Sequence, residues 1–144
     1  MPNDETDAAL LTLLAENARM PVATMARRLG LARTTVQARL DKLETNGTIA
    51  GYTLRLGAAL RSRLRATVLL SAEPRASAGI LSRLKSLPQV EAVHNASGRF
   101  DMIVEVSADT TEELDDVLDR ICEAQGVRSS ESLIHLSTKI DRRT

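Results

Sequence analysis

One stretch of the chain carries side chains suited to reading a DNA duplex. Read as a helix, the run RTTVQARLDK from Arg33 to Lys42 places Val36 and Leu40, and Leu43 just beyond, on one inward face. Arg33, Thr34, Thr35, Gln37, Ala38, Arg39, Asp41 and Lys42 are left for the outside. Arginine and glutamine can bond guanine and adenine edges in bidentate fashion, and threonine can meet a thymine methyl. Arg39 and Lys42, with Arg27 and Arg28 upstream, suit phosphates, which position a protein without specifying sequence. The candidate DNA contacts are therefore Arg27, Arg28, Arg33, Thr34, Thr35, Gln37, Ala38, Arg39 and Lys42.

A second constellation suits a small zwitterion. In Ser97-Gly98-Arg99-Phe100-Asp101, Gly98 permits a positive φ and a close backbone approach. Asp101 can take an ammonium group. Backbone N–H groups and the hydroxyls of Ser129, Ser130 and Ser132 can hold a carboxylate. The same residues can equally build nothing more than a tight hairpin. Arg99 can take a carboxylate or reach into solvent, and solvent is the expectation. His94 and His135 are expected on adjacent or near-adjacent strands. Without a nearby Cys or carboxylate pair they make a poor metal site and read as hydrogen-bonded structural residues. Cys122 reads as a small buried hydrophobe, and the acidic run from Glu112 to Asp119 as a solvated helix face. No Ser-His-Asp set, phosphate loop or Glu-x-x-His pattern occurs, so neither an enzyme nor a bound cofactor or metal is expected.

Three short helices must position the first set. Asp4 can cap the first, with Asp7 completing a capping box, and Leu10, Leu11, Leu14 and Ala18 form its stripe. Pro21 opens the second, which buries Val22, Met25, Ala26 and Leu29 and stops at Gly30. The third runs from about Ala32 to Thr45 and ends in the Asn46-Gly47 turn. Two short helices joined through a glycine spell a helix-turn-helix. Residues 49–54 are β-prone and read as a wing or exit strand, and residues 55–64 as a linker. From Arg65 the period becomes two. Strands are expected over 65–73, 90–97 and 100–108, with a hairpin at Gly98-Arg99. The last strand is expected over 132–140. One helix over 77–87 buries Ile80, Leu81, Leu84 and Leu87. Another, from Asp109 to Ala124, buries Leu114, Val117, Leu118 and Ile121. The order is β-α-β-β-α-β. The expected class is α+β: a (winged) helix-turn-helix over 1–54, then a ferredoxin-like domain over 65–144.

Composition agrees with this division. The 144 residues are 43% apolar and 26% charged, and the formal net charge is zero. That zero conceals a segment, residues 19–63, with nine Lys/Arg against two Asp/Glu, which points one half at a polyanion. Tyr52 and Phe100 are the only aromatic residues, too few for a base-stacking surface. No apolar run is long enough to span a membrane, the acidic N-terminus is unlike a secretory signal, and a single cysteine fits a reducing compartment. A cytoplasmic protein is expected. In the third strand of the second half, Phe100, Met102, Val104 and Val106 alternate with Asp101, Ile103 and Glu105. The last strand has apolar groups on both sides. A monomer thus exposes apolar sheet, and a homodimer pairing sheet to sheet covers it.

Together these residues resemble a known family. Asp4-x-x-Asp7-x-x-Leu10-Leu11, Asn17-Ala18-Arg19, Met25-Ala26-x-x-Leu29-Gly30-Leu31 and Val36-x-x-Arg39-Leu40-x-x-Leu43-Glu44-x-x-Gly47-x-Ile49-x-Gly51-Tyr52 are similar to the DNA-binding half of Lrp/AsnC transcription regulators. Val90-x-x-Val93-His94-x-x-x-Gly98-x-x-Asp101 and Gly126-Val127-x-x-x-Glu131-Ser132 resemble that family's amino-acid-sensing half. The resemblance implies double-stranded DNA with a pseudo-palindromic operator as partner. It also implies an amino-acid effector held by Gly98, Arg99, Phe100, Asp101 and the three serines at contacts between dimers, and assembly beyond the dimer, an octamer being plausible. It departs at Ala32, where the family usually has a serine cap, and at Arg99-Phe100, where an acidic-aromatic pair is usual; the identity of the effector is left open. Two other readings share the scaffold. One is a sirohaem decarboxylase-like enzyme using His94 and His135 in a tetrapyrrole pocket, and the other an effector-independent DNA-architectural protein.

Overall fold

The computed structural model describes residues 5–61 and 64–143. The capping role of Asp4 and the linker positions Ser62 and Arg63 lie outside the described residues. Contacts divide the chain into one compact unit through Arg55 and another from Leu56 to Arg142.

The first unit contains α1 (Glu5–Glu16), α2 (Val22–Leu29) and α3 (Arg33–Thr45). Leu10, Met25, Ala26, Val36 and Leu40 form its core, with Leu13, Leu14, Met20, Val22, Leu29 and Leu31 packed around them. The stripe of α1 thus runs through Leu13 rather than to Ala18, which is exposed beyond the helix end. Pro21 is the residue before α2, and Gly30 ends that helix in the left-handed region at φ 66°. There the N–H of Leu31 closes onto the Ala26 carbonyl at 2.9 Å. Ala32 precedes α3 with no side-chain cap, as its methyl requires.

Residues 49–54 form no strand. A β-prone run needs a neighbouring strand to complete its ladder, and among the described residues of this unit there is none. Tyr52 instead folds back, its hydroxyl donating to Glu44 of α3 at 2.8 Å. Partial burial, with the Glu44 carboxylate beside it, raises the Tyr52 pKa above its ordinary value.

The second unit is a four-stranded antiparallel sheet with two helices. Its elements are β1 (Leu64–Ala72), α4 (Ser77–Lys85), β2 (Val90–Asn95), β3 (Met102–Ala108), α5 (Thr111–Cys122) and β4 (Val127–Ile134). The spatial order β2-β3-β1-β4 is that of a ferredoxin-like fold, with β1 paired to β3 on one side and β4 on the other. Alternate residues Ala66, Val68 and Leu70 of β1 and Met102, Val104, Val106 and Ala108 of β3 face Ile80 and Leu84 of α4, Leu87 after it, and Leu114, Val117 and Ile121 of α5. Thr110 caps α5 by accepting from the Glu113 N–H at 3.1 Å. Glu113 accepts from the Asp109 N–H and from Gln89, and these bonds, the backbone one foremost, hold its carboxyl below the usual carboxylate range.

Several expectations are corrected here. Leu81 sits on the outward side of α4, about 100° from Ile80, and is exposed. Phe100 precedes β3 rather than belonging to it. The last strand begins at Val127 and ends at Ile134, so residues 135–140 are not strand. Its pairing with β1 runs from Ala72 to Ala66, and the His135 N–H bond to the Arg65 carbonyl, one residue from the start of β1, closes the ladder. Leu136 is consequently 98% exposed. Cys122 is exposed too, its sulfur 3.1 Å from the Ser130 hydroxyl at the end of α5.

Two glycines make opposite demands. Gly126 turns into β4 at φ 96°, and a Cβ there would overlap that of Ala76. Gly79 lies within α4 facing open space. Gly126→Ala should therefore destabilise the protein by roughly 2 kcal/mol or more, while Gly79→Ala should stabilise it by about 0.5–1 kcal/mol. Urea unfolding of the two variants checks the pair: equal signs contradict the packing described.

Candidate functional site

Three turns of α3 carry most of the first constellation, and Arg27 and Arg28, both exposed, lie in the last turn of α2. Val36, Leu40 and Leu43 are buried, whereas Arg33, Thr34, Thr35, Gln37, Ala38 and Lys42 are all exposed. Opposite the buried face, Thr34, Ala38 and Lys42 lie along one line, with the smallest side chain in the middle. Thr34, Thr35, Ala38, Arg39 and Lys42 line an open concavity of about 500 Å³. A surface of this kind admits a close backbone approach by a ligand and surrounds it with hydroxyls and cations.

Some candidates have partners within the protein. Gln37 donates to Asp41 one turn on at 2.8 Å, so its amide must exchange that partner to reach a base. Arg28 pairs with Glu16 at 3.4 Å across exposed surface, an interaction of little energetic weight. Arg39 pairs with Asp7 of α1 at 3.1 Å, and Asp7 is 2% exposed. The sequence reading made Asp7 a capping residue and missed this contact. An acid in the first turn of a helix carries no sign of a partner 32 positions away.

In the second unit the hairpin is tied to the end of β1. The Asp101 N–H donates to the Leu70 carbonyl at 2.8 Å, and the Ala72 N–H donates to Asp101 Oδ2 at 2.7 Å. The Ser71 hydroxyl reaches the Arg99 carbonyl at 3.3 Å. Gly98 takes φ 149° with open space around it. One carboxylate oxygen of Asp101 thus secures the loop. Arg99 is exposed but not solely in solvent: it lies over the Phe100 ring, 5.0 Å from its centre, and 3.5 Å from Glu131.

The three serines do not converge. Ser130 and Ser132 pair with Leu70 and Val68, whose side chains face the helices. Ser129 pairs with Ser71 on the open face, beside the hairpin. The pleat therefore brings Ser129 and Glu131 to the hairpin side and turns the other two away. Glu131 was missed as a site residue, though it stood in the quoted run Glu131-Ser132. A separate groove of about 610 Å³ between the β1–α4 turn and the α5–β4 turn holds none of the expected effector residues.

The histidines are not neighbours. His94 is on β2 and His135 follows β4, the two outer strands, with β3 and β1 between them. Three strand spacings separate them by about 14 Å across the sheet, and the register sets them further apart along it, since His94 aligns through Ile103 and Leu69 with Glu131. His135 lies 2.8 Å from the Thr67 hydroxyl. Among the described residues no His/Cys/Asp/Glu group could hold a metal ion, and no helix is long and apolar enough to cross a membrane.

Comparison with known proteins gives a consistent picture. Residues 4–44 match the AsnC-type helix-turn-helix domain, and residues 65–144 match the Lrp/AsnC ligand binding domain. The chain is 28% identical to the HTH-type transcriptional regulator FL11 of Pyrococcus horikoshii, over 96% of this chain and 92% of that one. It is 29% identical to the HTH-type transcriptional regulator LysM of Saccharolobus solfataricus, with 94% of each covered. The feast or famine regulatory protein Rv3291c from M. tuberculosis, solved with L-methionine, shares the fold at a TM-score of 0.84. Its identity is 29%, over 98% of this chain and 97% of that one.

The Asp101 geometry separates shape from charge. Asp101→Ala removes the acceptor for the Ala72 N–H and should cost about 1 kcal/mol in urea unfolding. Asp101→Asn keeps an acceptor and should cost well under half of that. Equal losses would mean that the charge, not the acceptor, holds the hairpin.

Proposed function

The chain belongs to the Lrp/AsnC family of DNA-binding transcription regulators, and on that premise we propose how its two halves divide the work. Residues 1–54 read an operator through α3, residues 55–64 link, and residues 65–144 assemble the protein and sense a small amino acid. The observation that carries the reading is the bare face of α3. Thr34, Ala38 and Lys42 serve no core, stand in line, and sit in the most basic segment of a neutral chain. Arg33 and Gln37 on one flank read bases. Arg27, Arg28 and Lys42 meet phosphates.

A two-fold dimer presents two such helices to a pseudo-palindromic operator. The open sheet face supports it, since Leu69, Ile103 and Leu133 form an apolar centre bordered by Arg65, Glu91, Glu105 and Glu131, on the side away from α4 and α5. An effector of amino-acid type fits the hairpin end of this sheet. Asp101 Oδ1 takes the ammonium, and Ser129 and the loop N–H groups take the carboxylate. The L-methionine bound by Rv3291c, a relative of similar length, supports this ligand class. Arg99 and Glu131 stand where they can contact the effector's side chain. Binding at contacts between dimers changes higher assembly, and by linkage DNA changes effector affinity in return.

The work is regulatory and cytoplasmic rather than enzymatic. The relatives compared are named as transcription regulators. A tetrapyrrole pocket built on both histidines loses its support once they stand at opposite sheet edges.

Binding assays on short duplexes test the proposal. Arg33→Ala and Gln37→Ala should cost about 1–3 kcal/mol on the cognate site and relax sequence preference, while Arg27→Ala weakens binding to all sequences alike. Parental behaviour in every variant removes α3 from the interface. Titration with the twenty amino acids should raise the Tm for at least one, and Asp101→Asn should abolish that shift. An undiminished shift in the variant excludes Asp101 from the site.

A further inference from the structure

Two carboxylates at the hairpin end of the sheet each keep one oxygen uncommitted. Asp101 accepts from the Ala72 N–H with Oδ2 at 2.7 Å, and its Oδ1 meets no donor among the described residues. Glu131 faces Arg99 with Oε2 at 3.5 Å, and its Oε1 likewise meets none. Arg99 joins the two acids. Its carbonyl, two residues before Asp101, is held by the Ser71 hydroxyl at 3.3 Å, and its guanidinium lies against Glu131. The same guanidinium stands 5.0 Å from the centre of the Phe100 ring, so the ring backs the cation from one side. Ser129 lies opposite Ser71, and Glu131 follows two residues along β4 on the same face. That spacing is about 7 Å, close to the reach of a lysine or arginine side chain from its Cα. Arg128, which the β1–β4 ladder skips between Ser71 and Ala72, is next to Ser129 and adds positive charge at that end.

We propose that the effector is a cationic amino acid, of the lysine, ornithine or arginine class, whose side-chain cation is taken by Glu131. This rests on the hairpin being the effector site. The α-ammonium goes to Asp101 Oδ1, and the α-carboxylate to Ser129 and the loop N–H groups, as for any amino acid. Selection lies at the end of the side chain. A cation there reaches Glu131 Oε1 and leaves the Arg99–Glu131 pair in place. An acidic side chain must take Arg99 from Glu131 while standing close to two carboxylates, and like charges at that distance disfavour each other. An apolar side chain removes water from the free oxygen of Glu131 and gives it no partner in return. Only the cationic class satisfies both open oxygens. Arg99 is then a positioning residue: with Phe100 behind it, it holds Glu131 at the hairpin.

Calorimetry on the full-length protein tests this with L-lysine, L-ornithine and L-arginine against L-glutamate and L-norleucine, which has lysine's four-carbon side chain without the ammonium group. At least one of the three cations should bind about tenfold tighter than norleucine, the worth of one charge-assisted hydrogen bond, and glutamate should bind more weakly than either. Glu131→Gln keeps the shape and removes the charge. It should lower the affinity of the best cation about tenfold and leave norleucine at its parental value. A neutral or acidic amino acid that binds the parent as tightly as the best cation overturns the proposal, and so does parental discrimination in Glu131→Gln. If Glu131→Gln does not fold, the cation-to-norleucine ratio in the parent decides: a ratio near one overturns the proposal. Asp101→Asn separates this from the reading beneath it. A ratio near one in the parent, with all binding lost in Asp101→Asn, overturns the cationic class and keeps the hairpin as the effector site. Failure of every amino acid to bind the parent, or undiminished binding in Asp101→Asn, removes the site itself and the proposal with it.

Discussion

The pleat of β1 is the constraint on which the C-terminal unit depends. This strand pairs on both sides, so it must satisfy two ladders and two faces with one alternation. Ala66, Val68 and Leu70 turn toward α4 and α5. Arg65, Thr67, Leu69 and Ser71 turn the other way. Its partners inherit the choice: Val104 and Val106 join the core, and Ile103 and Glu105 join the open face. A shift of one residue in either register would exchange these sets and expose the core. The same strand ends where the hairpin is attached, through the Leu70 carbonyl, the Ser71 hydroxyl and the Ala72 N–H. The candidate effector site is thus fixed to β1, whose open side belongs to the sheet face proposed to pair.

The N-terminal unit works under a tighter limit. Three helices of 8 to 13 residues bury few large side chains, and isolated helices of that length are marginal in water. Their arrangement rests on a small core, on left-handed stops at Gly30 and Gly47, and on the Asp7–Arg39 contact between the outer helices. Ala32 gives the start of α3 no side-chain cap. Orientation of α3 therefore depends more on its flanks than on its own end.

Much of this architecture was legible in the sequence, and the failures have physical causes. Pro21, Gly30 and Asn46-Gly47 mark the helix ends of the first unit because each permits or forbids a backbone conformation. Period-two alternation identified β1 and β3, which are buried on one side. β4 was misplaced because VRSSES is an outer strand with little apolar content; the apolar residues from Leu133 to Ile140 drew the assignment past the end of its partner. Residues 49–54 have strand composition but no ladder to join. At the site, the outward face of α3 followed from periodicity alone. The Asp7–Arg39 pair and the divergence of Ser129 from Ser130 and Ser132 needed tertiary partners and strand register, which a linear pattern does not contain.

The proposed function turns on whether a bare, basic helix face in a two-fold assembly reads duplex sequence. Repeated selection of duplexes from a random pool by the full-length protein, followed by sequencing, addresses it directly. The expected outcome is enrichment of pseudo-palindromes whose half-sites lie one helical turn, about 10–10.5 base pairs, or a multiple of it, apart. A final pool no different in sequence from the starting one, with retention set only by salt and duplex length, would contradict it.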